Sequence, residues 1–343
     1  MMRQEFVAMT ALVPDLLDVL HRRYNVVREI ANQAPIGRRL LAERLSMSER
    51  SLRTEIDFLK EQHFIHVSRE GMTLTNEGEA LLKQLHPLAQ QFLAMDQREQ
   101  QLAQSLNIER VMIVAGDSSE DERVLEQLSR RLNEGLQYVL DDESIVAVLG
   151  GSTLRKVTDQ LRPTKKGHHI FVAARGGMGD KIEFQANAIC DCLAQHLGGE
   201  AVPLYSPDYM SQQSYEILKQ EPSIQRVLNL LNHADCAIHG IGTAMAMAEV
   251  RGMTAEEIKI LKNKKAVAET FGYFYNSEGE VVYQIPRLGL DLEDLSRIPN
   301  IFAVAGGTKK ADAIMAYMQH APEQTWLITD EGACEKMLSQ LSK

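Results

Sequence analysis

The sequence predicts a small winged helix-turn-helix unit followed by an α/β domain with a Rossmann-like, mainly parallel, doubly wound sheet. Three observations carry this. Between Pro35 and Ile65, two short helices with apolar periodicity are joined by the polar turn Ser46-Met47-Ser48, which is helix-turn-helix spacing. From Val111 onward, short runs of strand-forming residues alternate with amphipathic helical stretches. Two of those runs also end alike, AVLGGST (147–153) and AVAGGTKK (303–310). In each, buried-type residues lead into two glycines, a hydroxyl and helical periodicity, which is how a parallel strand becomes a helix whose N-terminus accepts an anion.

The N-terminal elements follow in order. The pattern is helical over 24–34, with Val27, Ile30 and Ala31 on one face. Leu40, Leu41 and Leu45 define a second helix, and Leu52, Ile56 and Leu59 repeat at i, i+4, i+7 on a third. Ser48 is placed to cap that third helix, with Glu49 complementing its dipole. Residues 64–67 and 72–74 are strand-like and are joined by Ser68-Arg69-Glu70-Gly71, where Gly71 can supply a positive φ. Thr75 then caps a helix through Leu81, Leu82 and Leu85. After Pro87, Leu88, Phe92, Met95, Leu102 and Leu106 recur at coiled-coil spacing with Glu99 among them, fitting either a helix that pairs with a second chain or one packed on its own domain. The expected domains are 1–87, a linker or dimerisation helix at 88–107, and 108–343.

In the second domain the expected strands are 111–114, 145–149, 170–174, 201–204, 236–239, 301–305 and 326–329, with a hairpin of 271–275 and 281–285 around Asn276-Ser277-Glu278-Gly279. Most are followed by glycine-bearing loops and helices, so the sheet is expected to be parallel with its ligands at the carboxyl ends of the strands.

Composition narrows the functional classes. With 44% apolar and 24% charged residues, the chain reads as an ordinary globular protein, and no apolar stretch approaches a membrane span. The first twenty residues are broken by Pro14 and acids and lack a small-residue cleavage site, so no secretory signal and a cytoplasmic location are expected. Of the four cysteines only Cys190 and Cys192 are close, on different faces of a helical pattern. They read as reduced side chains, and a metal site at Cys192 and His196 lacks further ligands nearby.

The net charge of −10 argues against nucleic acid until its distribution is read. Residues 1–100 carry 13 basic and 14 acidic side chains, so about nine of the ten excess negative charges lie further on. Between Leu20 and Arg53 there are eight arginines and three acids. The outward positions of the third helix carry Arg50, Ser51, Arg53 and Thr54, donors suited to phosphates and base edges. With Arg38, Arg39, Ser48 and Arg69 they form the candidate surface for double-stranded DNA. The alternative is an assembly subdomain whose arginines are a solvated face.

Anion chemistry is expected at Gly150-Gly151-Ser152-Thr153, at Arg175-Gly176-Gly177-Met178-Gly179, at Gly240-Ile241-Gly242-Thr243, at Gly306-Gly307-Thr308-Lys309-Lys310 and at Asp330-Glu331-Gly332. Glycines let an oxyanion approach backbone N–H groups, hydroxyls add donors, Arg175 offers a bidentate fork, and Lys310 or Lys309 adds a point charge. The set fits one phosphate or two. No Walker A motif is present and no G-x-G-x-x-G follows the first strand, which disfavours nucleoside triphosphates and dinucleotides. Glu269 could accept bonds from sugar hydroxyls or act as a general base, or it could be a solvated residue at a strand edge. Gln185 lies in the helix after the Arg175 loop.

With PIGRRLLAERLSMSERSLRTEIDFLKEQ at one end and AVLGGST, ARGGMG, AVAETFGYFY and AVAGGTKKADAI at the other, the whole chain resembles the SorC family of sugar-responsive bacterial repressors. The resemblance implies a second domain similar to sugar-phosphate isomerases and deaminases but used as a sensor, with no catalytic residue, cofactor or metal. It implies fructose 1,6-bisphosphate as inducer, an operator ahead of a triose-phosphate glycolytic operon, and a homodimer that forms a tetramer on DNA. By matching motif, one phosphate sits on Gly150, Gly151, Ser152 and Thr153, closed over by Arg175, Gly176 and Gly177. A second meets Gly306, Gly307, Thr308 and Lys310, while Gln185 and Glu269 hold sugar oxygens. Ser152 stands where the family usually has Thr, and Thr308-Lys309 where a small hydroxyl pair is usual; neither change removes a donor. The other reading is a sugar-phosphate isomerase or deaminase with an appended DNA-binding unit.

Overall fold

The computed structural model describes residues 16–45, 47–161, 167–177, 181–207 and 210–342, with backbone alone at 16–18, 21, 86–94 and 96. Ser46, Met178 and Gly179 lie outside the described residues. The chain forms two compact units, Met1–Gln97 and Arg98–Lys343. Among the described residues no helix is long and apolar enough to cross a membrane.

The first unit contains α1 (Leu16–Gln33), α2 (Arg38–Arg44), α3 (Glu49–Glu61) and the antiparallel pair β1 (Ile65–Val67) and β2 (Met72–Leu74). Its core gathers Val26, Val27, Ile30, Ile36, Leu41, Leu52, Ile56, Leu59, Ile65 and Met72. Two expected core positions face outward instead. Ala31, in the last turn of α1, is exposed, and Leu40 is 49% exposed because α2 turns Leu41 and Ala42 inward. Ser48 caps α3 by accepting the Ser51 amide at 3.2 Å. The wing has an added rung: Ile36 exchanges both backbone hydrogen bonds with Met72, at 3.2 and 2.9 Å.

Thr75 accepts the Gly78 amide at 3.0 Å and so opens α4, a helix of 31 residues (Asn76–Leu106) that contributes to both units. It continues through Pro87, which has no backbone N–H to donate to the preceding turn. The side chains of Leu88 and Phe92 lie outside the described residues. Leu102 and Leu106 are buried in the second unit, so the carboxyl end of the expected pairing helix packs on its own domain.

The second unit is built on a seven-stranded sheet of β3 (Arg110–Val114), β4 (Ile145–Val148), β5 (His169–Ala173), β6 (Gly199–Val202), β7 (Cys236–Gly240), β12 (Asn300–Val304) and β13 (Thr325–Asp330). Its spatial order is β3-β13-β12-β7-β4-β5-β6, and every pairing is parallel. Helices α5 (Val124–Val139), α6 (Ser152–Asp159), α7 (Ala186–Leu197), α8 (Gln212–Leu218), α9 (Pro222–Asn232), α10 (Ala244–Val250), α11 (Ala255–Asn263), α12 (Leu292–Leu295), α13 (Ala311–Met318) and α14 (Glu331–Leu341) complete it. The inner strands β4, β7 and β12 are almost wholly buried, as a sheet covered on both faces requires.

The expected hairpin is β10 (Tyr273–Tyr275) with β11 (Val281–Gln284). It belongs to a second, antiparallel sheet of order β11-β10-β9-β8, with β8 (Gly242–Thr243) and β9 (Ala268–Thr270) as strands of two and three residues. Runs that short carry no readable periodicity, and Glu269, expected near a strand edge, sits in the middle of β9.

Phe302 on β12 is 1% exposed, its ring edge-on to Trp326 at 5.4 Å. Phe302→Ala is expected to cost about 3–5 kcal/mol. Urea unfolding followed by fluorescence of Trp326, the single tryptophan, checks this.

Candidate functional site

The two sequence repeats are also conformational repeats. Gly151 (φ 143°) precedes α6, and Gly307 (φ 94°) precedes the 3₁₀ turn Thr308–Lys310 that opens α13. Both occupy backbone space that other residues enter only with strain. The leading glycines serve close approach: a methyl group on Gly150 would lie 2.7 Å from the Phe184 carbonyl oxygen, and one on Gly306 would lie 2.4 Å from Asp330 Oδ2.

These loops end β4 and β12, which flank β7, and one side chain joins them. Lys310 Nζ donates to Thr153 Oγ1 at 2.9 Å. Of the two lysines, Lys310 is the one aimed inward, while Lys309 is exposed. Burial pulls the Lys310 ammonium down from the usual 10.5 to about 8, with Asp330 acting in the opposite direction. The two loops thus share one cation, held among hydroxyl and backbone donors.

The neighbouring groups assemble around the first loop. The Gly151 amide donates to Phe184 O at 2.8 Å, and Gln185, the residue that caps α7, brings its amide group beside Gly177. Arg175 is 3% exposed, and its strand extension pairs with Gly289, where the Leu290 amide donates to Ala174 O at 2.9 Å. Gly176 makes room for the Ser206 carbonyl, so its lack of a side chain serves chain packing. Ser152 is exposed in the first turn of α6.

Glu269 is not solvated. It is 3% exposed, its Oε1 pairs with Arg251, whose side chain is 2% exposed, and the same oxygen accepts the Gly272 amide at 2.8 Å. Its backbone is in register with Gly242, just beyond the carboxyl end of β7. Arg251 carried no readable signal in the sequence, because its partner lies across a short β-sheet. His239, at the end of β7, is held by burial down to about 4 and meets the Tyr317 hydroxyl at 3.2 Å, a neutral contact of the core.

The Gly306–Lys310 loop differs most from expectation. Thr308 donates both its hydroxyl and its amide (3.2 Å) to Asp117, so these donors already serve an internal carboxylate. The expected Asp330-Glu331-Gly332 loop is the start of α14: Asp330 Oδ1 caps it through the Ala333 amide at 2.9 Å. Ser118 fastens to Asp330 Oδ2 through its amide at 2.9 Å and its hydroxyl at 2.5 Å. All four cysteines are free and buried, and burial raises the Cys190, Cys192, Cys236 and Cys334 thiols above their ordinary range.

On the first unit, Arg38, Arg39, Ser48, Arg50, Ser51, Arg53, Thr54 and Arg69 are all exposed. The other arginines are committed elsewhere. Arg22 and Arg23 both bind the buried Glu55, at 2.7 and 2.9 Å, Arg44 pairs with Glu29 at 3.0 Å, and Arg28 lies over Tyr24. Arg53 makes only an exposed contact with Asp57 at 3.7 Å.

Residues 19–89 match the family described as "CggR N-terminal DNA binding domain", and residues 90–339 match "Putative sugar-binding domain". Over 338 residues, 98% of this chain and 99% of the relative, the sequence is 40% identical to the central glycolytic genes regulator of Bacillus subtilis. The chain belongs to the family of central glycolytic genes regulators. The regulator of Priestia megaterium is also 40% identical, over 95% of this chain and 96% of its own. A SorC family transcriptional regulator from Enterococcus faecalis is similar in structure, with a TM-score of 0.67 and 46% identity over 71% of this chain and 99% of that one. The full-length sorbitol operon regulator SorC from Klebsiella pneumoniae, at 16% identity and a TM-score of 0.63 over 88% of this chain and 94% of that one, shares the fold. This regulator thus joins a DNA-binding domain to a sugar-binding domain.

The depressed Lys310 has a stability consequence with a definite sign. The folded state binds that proton more weakly than the unfolded state, so burial costs stability below pH 8, and the cost fades as pH rises toward 10.5. Lys310→Met is therefore expected to stabilise the regulator by about 1–2 kcal/mol at pH 7, with the gain shrinking by pH 10. Urea midpoints at the two pH values measure this; a gain that grows with pH would contradict it.

Proposed function

We propose that this regulator is a repressor that binds double-stranded operator DNA ahead of a triose-phosphate glycolytic operon and is released by a phosphorylated sugar, with fructose 1,6-bisphosphate as the inducer. The observation that carries the sensor reading is the Lys310 ammonium on Thr153, a part-buried cation joining two glycine-hydroxyl loops. Gly150, Gly151, Ser152 and Thr153 supply the amides and hydroxyls for one phosphate, and Arg175, Gly176, Gly177 and Gln185 close over it. Gly306, Gly307, Thr308 and Lys310 receive a second phosphate, and Glu269 holds sugar hydroxyls through its remaining acceptor capacity.

The rest of the proposal follows from this. The domains are 1–87, 88–107 and 108–343, the amino-terminal part of the 88–107 helix pairs two chains while its carboxyl end packs on its own domain, and a tetramer forms on DNA in the cytoplasm. No cofactor, metal or membrane takes part. An isomerase would need Glu269 as a base, but Oε1 of that carboxylate is already engaged by a guanidinium and an amide, which favours a sensor.

Arg50 and Arg53 project from the recognition helix, so Arg50→Ala or Arg53→Ala is expected to cost about 1–3 kcal/mol of specific binding where the side chain reads a base. Gel-shift titration against operator and unrelated DNA checks this, and unchanged operator affinity in both variants removes the recognition-helix assignment.

Thr153→Ala, Arg175→Ala and Lys310→Ala are expected to bind operator normally and to require about one to two decades more sugar phosphate for release, the equivalent of roughly 1.5–3 kcal/mol. Fluorescence anisotropy of labelled operator across the titration reads this out. Variants that respond at the wild-type concentration would refute the site, and turnover of a sugar phosphate that disappears in Glu269→Gln would favour the enzyme.

A further inference from the structure

The Gly306–Lys310 loop already holds an anion that belongs to the chain. Asp117, in the turn after β3, accepts the Thr308 hydroxyl on Oδ2 and, on Oδ1, the amides of Thr308 at 3.2 Å and Ser119 at 2.8 Å. Ser119 Oγ in turn accepts the Lys309 amide at 3.4 Å. The far side of the turn is fastened by Ser118 on Asp330, and a methyl group on Gly332 would lie 2.5 Å from the Asp117 carboxyl carbon. Burial pushes the Asp117 carboxyl up, but the bonds from Thr308 and Ser119 outweigh it and hold the group below its ordinary value. It is therefore anionic at neutral pH.

Two amides and a hydroxyl converging on one carboxylate are the donors a phosphate oxygen takes from a loop of this kind. Thr308 cannot serve both anions, since like charges at contact distance repel. A phosphate at this loop and Asp117 at this loop are alternatives.

We propose that Asp117 is a specificity-determining residue of the effector site, standing in for a phosphate on Thr308 so that a singly phosphorylated sugar binds with Asp117 in place while a bisphosphorylated sugar must expel it. This rests on the reading of the two loops as a sugar-phosphate pocket. The second phosphate exchanges one anion for another on the same donors, so it adds little affinity in the wild type. It also frees the turn that follows β3. That strand is the sheet's edge, paired to β13 alone, so its following turn can shift without breaking an inner pairing.

The test is calorimetric titration of the full-length protein with fructose 6-phosphate and with fructose 1,6-bisphosphate. In the wild type the two Kd values are expected to lie within about tenfold. In Asp117→Asn, which keeps the shape and removes the charge, the preference for the bisphosphate is expected to widen by a further tenfold or more, through tighter bisphosphate binding. Amide hydrogen exchange on the wild type gives a second reading that needs no variant: Ser118 and Ser119 should exchange faster with the bisphosphate and at an unchanged rate with the monophosphate. A preference within twofold of wild type in Asp117→Asn, or equal protection of Ser118 and Ser119 with both sugars, overturns the role of Asp117 and leaves the sugar-phosphate reading standing. A wild type that binds neither sugar overturns both.

Discussion

The inner strands of the seven-stranded parallel sheet, buried on both faces, can present polar chemistry only at their ends, and this constraint organises the second domain. β7 lies between β4 and β12, so the turns that leave those two strands approach each other across its carboxyl end. Each turn begins a helical segment whose first N–H groups lack intrahelical partners. The gap between the turns is short enough for one lysine to cross, and Lys310 crosses it to Thr153. Desolvating an ammonium in that position is costly to the fold, which is why its proton is loosely held. The regulator gives up some stability to keep a cation between these two turns.

Much of this was legible in the sequence, and the legible parts share a physical cause. Alternating buried runs and glycine turns gave all seven strands of the main sheet to within about two residues, because parallel strands covered on both faces are continuous apolar runs. Ser48, Gly71 and Thr75 were readable as a cap, a turn and a cap, since each acts on backbone within a few residues. The doubled glycine motif marked two turns of like conformation for the same reason: Gly151 and Gly307 are required by local backbone angles.

What escaped the sequence depends on long-range pairing. Asp117 lies 191 residues from Thr308, and Ser118 lies 212 residues from Asp330, so nothing in Gly116-Asp117-Ser118-Ser119 announces its partners. Arg251 and Glu269 meet only because β8 and β9, two and three residues long, form a sheet. The expectation that Glu269 could be solvated failed on that pairing. Periodicity places Leu40 inward, but a helix of seven residues packs on one narrow face, which takes Leu41 and Ala42 and leaves Leu40 in water.

The pairing of Glu55 with both Arg22 and Arg23 bears on how strongly salt should govern the DNA complex. Affinity for a polyanion depends on how many condensed counterions the protein displaces, and an arginine already neutralised by an internal carboxylate displaces few. Of the eight arginines between Leu20 and Arg53, Arg22, Arg23 and Arg44 are held by carboxylates, and Arg28 rests on Tyr24. Arg38, Arg39, Arg50 and Arg53 remain turned to solvent. Two carboxylates thus hold three of the eight arginines, so the ionic footprint of this surface is smaller than its arginine count implies, which leaves a larger share of the binding to directional contacts.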